Sequence, residues 1–110
     1  MKIAARHLDK ITIFDISGDI DLATSPELRK ALLRELRELK TPRVVLNLGA
    51  VRYLDSSGVA SLVEGLKASR DVGSRLILFV LNRTVREVLQ LSKLVRIFEI
   101  YENEEQAVAP

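Results

Sequence analysis

Two hydroxyl groups and a carboxylate stand in a row at Asp55-Ser56-Ser57, directly before Gly58. They follow an apolar run and precede residues with helical periodicity, so the group lies at a predicted helix start. Aspartate and serine often cap helices, because their oxygens accept hydrogen bonds from the first backbone N–H groups. One cap is sufficient, which leaves a hydroxyl group available for reaction.

A phosphorylated serine would be tolerated at such a position, since a helix N-terminus stabilises a phosphate through free N–H groups and the helix dipole. Gly58 has no side chain and leaves room for a second backbone segment to approach. From the residue types alone, the motif fits a helix cap and a modification site equally well.

Polar residues also cluster in a second predicted loop, residues 18–25, which contains Asp19, Asp21, Thr24 and Ser25. The two carboxylates lie two residues apart on an extended segment, which is typical of solvated loop acids. The pattern gives no reason to expect either carboxylate to be buried in a pocket or paired with a catalytic partner, so it does not support a hydrolytic function.

Other catalytic and metal-binding patterns are missing from the sequence. The chain has one histidine, His7, and no cysteine, so the thiolates and paired histidines of common zinc sites are excluded. A Ser-His-Asp triad would have to use His7, which lies in a predicted strand with no nucleophile placed beside it. Glycine-rich phosphate-binding loops do not occur. We therefore predict that the protein is not an enzyme and holds neither a metal nor a cofactor.

Composition predicts a single domain over residues 1–110, because leucine, valine and isoleucine form about a third of a chain of ordinary domain length. The 17 basic and 15 acidic side chains leave a net charge of only +2. Without a basic block, and with few aromatic residues, binding to nucleic acid or to a membrane surface is not expected. No apolar run approaches the roughly 20 residues that cross a bilayer, and no signal peptide is recognisable, so a cytoplasmic location is predicted.

The elements that must position these residues alternate along the chain. Strands are predicted at residues 2–8, 11–17, 42–48, 75–81 and 96–101. Helices are predicted from residue 25 to Pro42, from residue 55 to near Gly73, after the N-cap Asn82, and within residues 102–109. At the first helix, Ser25 is one candidate N-cap, and Thr24 with Glu27 forms an alternative capping box.

This order predicts an α/β fold with a mostly parallel sheet of about five strands, an antiparallel edge hairpin and about four helices. The nearly continuous apolar run at residues 42–48 is typical of a strand covered on both faces, so Leu46 and Leu48 should be buried. Parallel sheets bind ligands beyond the carboxyl ends of their strands. The predicted loops at that edge are residues 18–25 and 49–57.

The segments GDIDLATSPEL (residues 18–28) and YLDSSGVASLVEGL (residues 53–66) resemble the STAS domain of bacterial anti-sigma factor antagonists. The resemblance extends over roughly residues 5–105. It implies a STAS-like fold and a small cytoplasmic switch that binds an anti-sigma factor, itself a serine kinase, and thereby frees a sigma factor. The ATP and Mg²⁺ for phosphorylation would belong to that kinase, and a serine phosphatase would reverse the modification.

Carried over to this sequence, the resemblance implies phosphorylation of Ser56, within a motif completed by Asp55, Ser57 and Gly58. It also implies a partner-binding surface formed by Asp19, Asp21, Thr24 and Ser25. Val59 and Ala60 depart from the commonest residues of the family, but neither change affects the hydroxyl group.

Two alternatives remain open. The same fold serves as an accessory subunit of transport or stress-sensing complexes, in which the partner is not a sigma regulator. The hydroxyl of Ser56 favours the switch, because a purely structural relative would not need it. A receiver-like domain phosphorylated on aspartate is disfavoured, since the chain opens with a hairpin and lacks the clustered acids of such a domain.

Overall fold

The computed structural model describes residues 1–79 and 81–110 of the chain. Its strands are β1 (Lys2–Leu8), β2 (Ile11–Ile20), β3 (Arg43–Leu54), β4 (Arg75–Phe79) and β5 (Glu99–Tyr101). Its α-helices are α1 (Ser25–Leu33), α2 (Ser56–Val72), α3 (Arg83–Leu91) and α4 (Glu104–Val108), and a π-helical turn over Arg34–Glu38 continues α1.

The strands lie in the sheet in the order in which they occur along the chain. β1 pairs with β2 in antiparallel orientation, and every later pairing, from β2 to β5, is parallel. This confirms the predicted α/β fold with a mostly parallel sheet and an antiparallel edge hairpin. The hairpin turns at Asp9, whose φ of 51° lies in the left-handed region that aspartate tolerates.

The two faces of the sheet are covered unequally. Leu28 of α1, Leu62 of α2 and Val85 of α3 pack on one face, in the same apolar cluster as Leu46 and Leu48 of β3. Leu46 and Leu48 are 0% and 1% exposed, as predicted. A smaller cluster on the opposite face is covered by the short helix α4 through the buried residue Ala107.

Two strands extend further than the sequence analysis predicted. β2 continues to Ile20 and β3 continues to Leu54, so the predicted loop at residues 49–57 is wrong, as is the start of the predicted loop at residues 18–25. The pairing of β2 with β3 shifts register twice between Asp15 and Asp19, as at a β-bulge. These irregularities let both strands continue together, and they bury Ile20 and Leu54 at the shared end of the sheet.

Thr24 is the N-cap of α1, as the second of the two predicted arrangements has it, and Ser25 is the first helical residue. The predicted capping box does not form, because the side chain of Thr24 makes no capping hydrogen bond. The hydroxyl of Thr24 is engaged in the preceding loop instead, where it donates to the carbonyl of Asp19 over 2.8 Å. Because this hydroxyl is used within the loop, it is not available to cap the first N–H groups of α1.

Towards the chain end the elements are shorter than predicted. β4 ends at Phe79, and the predicted strand at residues 75–81 includes Val80, which lies outside the described residues. β5 covers only three residues of the predicted segment 96–101, because the chain turns at residues 95–97 before it pairs with β4. The predicted cap is confirmed: the side chain of Asn82 accepts from the backbone N–H of Val85 at 3.0 Å.

Arg6 joins β1, β2 and α4 on the sheet face that carries α4. Its guanidinium group donates to both carboxylate oxygens of Asp15, at 2.6 and 2.9 Å, and to Glu104 at 2.6 Å. Asn47 donates to the same Asp15 carboxylate at 3.0 Å. The hydrogen bonds from Arg6 hold the pKa of Asp15 below its usual value, although partial burial opposes this shift.

We expect the Arg6–Asp15 pair to make folding stability sensitive to acid. Because the pKa of Asp15 is lower in the folded state, its contribution is present above its unfolded pKa of about 4 and is lost as the pH falls below that value. Arg6→Gln should therefore lower the free energy of unfolding at neutral pH and lower it less at about pH 2.5. Urea unfolding at the two pH values measures this difference.

Lys2→Gln is the control, because it removes an exposed cation from the same strand, and Lys2 has no ion pair among the described residues. Its effect on the free energy of unfolding should not change with pH. A pH-independent effect of Arg6→Gln would contradict the assignment.

Candidate functional site

The Asp55-Ser56-Ser57-Gly58 motif lies where β2 and β3 end side by side. Ile20 and Leu54 are paired across the two strands. The backbone N–H of Asp55 then donates to the carbonyl of Ile20 at 3.2 Å, which fixes the first residue after β3 against the end of β2. Helix α2 begins at the next residue, so the chain passes from strand to helix with Asp55 alone between them.

The start of α2 packs so closely against the ends of β2 and β3 that position 58 has no room for a side chain. A Cβ atom placed on it would lie 2.4 Å from Cδ1 of Leu54 and 2.9 Å from the carbonyl oxygen of Ile20. The second of these atoms belongs to backbone that is held by its own hydrogen bond to Asp55. The close approach of another backbone segment, which the sequence analysis predicted at this glycine, is therefore present and is made by the end of β2.

Asp55 is the cap of α2. One of its carboxylate oxygens accepts from the backbone N–H groups of Ser57, at 2.9 Å, and of Gly58, at 3.1 Å. Its extended backbone, with φ −102° and ψ −174°, is the conformation expected of an N-cap residue. Because the aspartate satisfies these donors by itself, neither serine hydroxyl is needed as a cap.

The two serines differ in exposure. Ser56 is exposed at the first position of α2, whereas Ser57 is half-buried. Among the described residues, no side chain or backbone group forms a hydrogen bond with the Ser56 hydroxyl. The hydroxyl of Ser56 is therefore open to an external reagent, and it lies at the positive end of a 17-residue helix.

Asp21 and Thr24 hold the neighbouring loop in its conformation. A carboxylate oxygen of Asp21 accepts from the backbone N–H groups of Ala23, at 3.0 Å, and Thr24, at 3.1 Å. The hydroxyl of Thr24 in turn accepts from the backbone N–H of Asp21 at 2.9 Å. These side chains satisfy the backbone of a tight turn, so their first effect is on the shape of the loop.

The other two residues predicted at this surface have different environments. Ser25 is buried, and its carbonyl accepts from the hydroxyl of Ser61 at 3.2 Å, which ties the start of α1 to α2. Asp19, at the end of β2, is partly exposed and lies 3.6 Å from Nε of Arg52 on β3. All four predicted residues lie at the end of β2 or in the five residues after it, and Asp19 alone among them uses its side chain to contact the other strand.

Two exposed apolar side chains at this edge were missed by the sequence analysis. Leu22 is 75% exposed in the loop after β2, and Tyr53 is 51% exposed on the penultimate residue of β3. Leu22 could have been noticed as a large apolar residue in a polar loop. Tyr53 could not, because its segment was predicted to be a loop, in which no direction can be assigned to a side chain.

The structure does not bring His7, which a Ser-His-Asp triad would need, to the serines of the motif. His7 pairs with Thr12 near the start of β2, at the opposite end of the sheet from Ser56. Residues 1–79 and 81–110 contain no group of three or more acidic or histidine side chains arranged to hold a metal ion. Over the same residues, no helix has the length and apolar character to cross a membrane.

The protein is thus a five-stranded α/β domain in which the helix after the central strand begins with an exposed serine. The STAS domain family model matches residues 2–107. The chain belongs to the STAS domain family.

Individual relatives agree with this assignment. The anti-sigma-B factor antagonist of Listeria monocytogenes is 34% identical over 101 residues, which cover 91% of this chain and 86% of that protein. An anti-sigma factor antagonist from Mycobacterium paratuberculosis has a similar structure, with a TM-score of 0.82, 23% identity and coverage of 97% and 90% of the two chains. The phosphorylated form of SpoIIAA from Bacillus gives a TM-score of 0.76 and 20% identity, with coverage of 97% and 96%.

Proposed function

We propose that this protein is an anti-sigma factor antagonist whose binding is switched by phosphorylation of Ser56. In its unmodified form it binds an anti-sigma factor that is also a serine kinase, and so releases a sigma factor. Phosphorylation by that kinase ends the interaction, and a serine phosphatase restores it. The chain itself carries out no catalysis in this scheme and needs no cofactor, since ATP and Mg²⁺ are bound by the kinase.

The exposed hydroxyl of Ser56 is the observation that carries this proposal. In the transfer, its oxygen would attack the γ-phosphorus of ATP and lose its proton, and ADP would leave. Asp55 already caps α2, so modification of Ser56 would break no hydrogen bond that the described residues make. Ser57 is a poorer acceptor because it is half-buried. A phosphorylated form of the Bacillus relative supports the same chemistry on this fold.

Co-purification with the cognate kinase tests the proposal. The two proteins should elute as a complex without ATP, and incubation with Mg-ATP should dissociate the complex and leave phosphate on Ser56. Stable association with a transport or stress-sensing assembly, together with no binding to any anti-sigma kinase of the same genome, would instead establish the accessory-subunit alternative.

Leu22 should contribute to affinity for the kinase. Leu22 is 75% exposed in the loop after β2, and the last residue of β2, Ile20, is hydrogen-bonded to Asp55. Such a side chain can lose most of its contact with water when a partner covers it, and its burial contributes about 1.5–3 kcal/mol. Leu22→Ala should therefore weaken binding about tenfold without changing the unfolding temperature. Isothermal titration calorimetry with the kinase measures the dissociation constant.

Leu91→Ala is a matched control for this substitution. Leu91 is 85% exposed at the end of α3, a helix that follows β4, whereas Leu22 follows β2. Its truncation should leave the dissociation constant unchanged. Equal affinities of the wild type and Leu22→Ala for the kinase would show that Leu22 is not part of the binding surface.

A further inference from the structure

Strand β1 forms an open edge of the sheet. β2 pairs with one side of β1, and no strand of the described residues pairs with its other side. The strand is seven residues long and pairs with β2 in an unbroken register. Proteins commonly protect such an edge with a proline, a bulge or a very short strand, and β1 has none of these. The edge is therefore suited to pairing with a further strand.

Alternate residues of β1 direct their backbone groups away from β2. A two-residue turn joins the strands, so Leu8 and Ile11 form a hydrogen-bonded pair, and every second residue before Leu8 bonds to β2 in the same way. The N–H and C=O groups of Ile3, Ala5 and His7 therefore point outward. Within residues 1–79 and 81–110 these groups have no hydrogen-bond partner.

The rest of the chain leaves β1 uncovered. Six of its seven residues are exposed, and only Ile3 is half-buried. The middle of the strand carries Ala4 and Ala5, whose small side chains leave the edge open on both faces of the sheet. No described element has to move before another strand can pair with β1.

We propose that β1 pairs with β1 of a second copy of this chain, in antiparallel orientation and centred on Ala5, so that the two sheets join into one. The proposal is independent of the proposed function. Because the outward groups lie on Ile3, Ala5 and His7, a symmetric pair centred on Ala5 uses all of them. Ala5 then lies opposite Ala5, and Ile3 lies opposite His7 of the second copy. Each of these pairs exchanges two backbone hydrogen bonds.

This register also fits the charges on the strand. Lys2 has no ion pair among the described residues, whereas Arg6 pairs with both Asp15 and Glu104, so the Arg6 cluster has a net negative charge. In the proposed pair, Lys2 lies opposite Leu8 of the second copy and two residues from its Arg6, on the same face of the sheet. Diagonal neighbours of this kind are about 7–8 Å apart, within reach of a long side chain. The strand is thus complementary to itself, which favours a second copy as its partner.

Sedimentation equilibrium tests the proposal at chain concentrations from about 10 µM to 1 mM, since pairing of a single strand buries less than a standard interface and gives a weak dimer. The average mass of the wild type should rise from that of a monomer towards that of a dimer. Ala5→Pro should remain a monomer. Its proline removes an N–H group that points away from β2, where an edge strand tolerates proline, so the circular dichroism spectrum should be unchanged.

Arg83→Pro is the matched control for the proline. Arg83 is the first residue of α3, a position that suits proline, and its side chain is 92% exposed. This variant should dimerise as the wild type does. A second pair of variants does not use proline: Lys2→Glu should weaken the dimer about tenfold at low salt, whereas Lys67→Glu, with the same change of charge on an exposed residue of α2, should not.

Amide hydrogen exchange followed by NMR locates the contact. The N–H groups of Ile3, Ala5 and His7 should exchange rapidly at 10 µM and become protected at about 1 mM, as the dimer fills. A mass that stays that of a monomer at every concentration would overturn the proposal, as would equal association of Ala5→Pro and the wild type. Growth beyond a dimer would also overturn it, because it would mean that β1 pairs with a different edge of the next copy.

Discussion

Incubation of the wild-type chain with its cognate kinase and Mg-ATP should add one phosphate, on Ser56, and should abolish tight binding to that kinase. Ser56→Ala should accept no phosphate and should still bind. The expected loss on phosphorylation is about 2–5 kcal/mol, which corresponds to roughly a 30- to several-thousand-fold rise in the dissociation constant.

The physical cause is local. A phosphate group brings about −1.5 to −2 charges to a position that already has the carboxylate of Asp55 beside it. In the free domain water solvates this charge, and the N-terminus of α2 offsets part of the repulsion, so the fold should change little. In the complex the same dianion would lose its water against the partner surface. Leaving it imperfectly paired there weakens the complex without any refolding.

Titration of the phosphorylated and unmodified forms against the kinase measures this effect, and mass spectrometry locates the phosphate. Ser56→Asp should show a weaker version of the loss, since it carries one charge on a shorter side chain. Ser57→Ala is the matched control, because it removes the neighbouring hydroxyl and should leave phosphorylation intact. A phosphate on Ser57, or equal affinities of the two forms, would refute the assignment.

Gly58→Ala should destabilise the protein and impair the site together. The added methyl group would lie within 3 Å of the Ile20 carbonyl and of side-chain atoms of Leu54 and Ile20, so the start of α2 must shift away from β2. Overpacking of this kind costs about 1–3 kcal/mol. For a domain of this size that predicts an unfolding temperature lower by roughly 4 °C or more. Because Ser56 lies two residues before Gly58, its phosphorylation should also slow.

Gly65→Ala provides the control within the same helix. Its added methyl group would meet Cδ1 of the buried Leu32 at 2.9 Å, but its three nearest atoms all belong to side chains, those of Leu32 and Leu76, so no backbone has to move. The better helix propensity of alanine, about 1 kcal/mol, should offset part of the cost of this contact. Thermal unfolding followed by circular dichroism should therefore show a smaller fall in unfolding temperature for Gly65→Ala than for Gly58→Ala. Equal falls for the two variants would mean that the close approach of β2 and α2 at Gly58 is not what makes its substitution costly.

The order of strands and helices could be predicted from the amino-acid sequence, because that order depends on local patterns. The apolar run at residues 42–48 marked a buried strand, and Leu46 and Leu48 are indeed in the core. Asn82 was recognised as a helix cap for the same reason, since a cap bonds to residues only three positions away. The segment Asp55-Ser56-Ser57-Gly58 was likewise visible as a group of residues with capping and acceptor chemistry.

Which of these residues are accessible to solvent could not be predicted in this way, because it depends on how the strands pair and the helices pack. The register shifts between β2 and β3 extend both strands to Ile20 and Leu54, and a pattern within either strand cannot reveal them because they arise from pairing. That pairing places α2 so that the hydroxyl of Ser56 faces solvent while Ser57 is half-buried. It also leaves Leu22 and Tyr53 exposed at the edge of the sheet where β2 and β3 end. The exposure of a residue depends on which distant segments of the chain pack against it. Local sequence patterns do not contain this information.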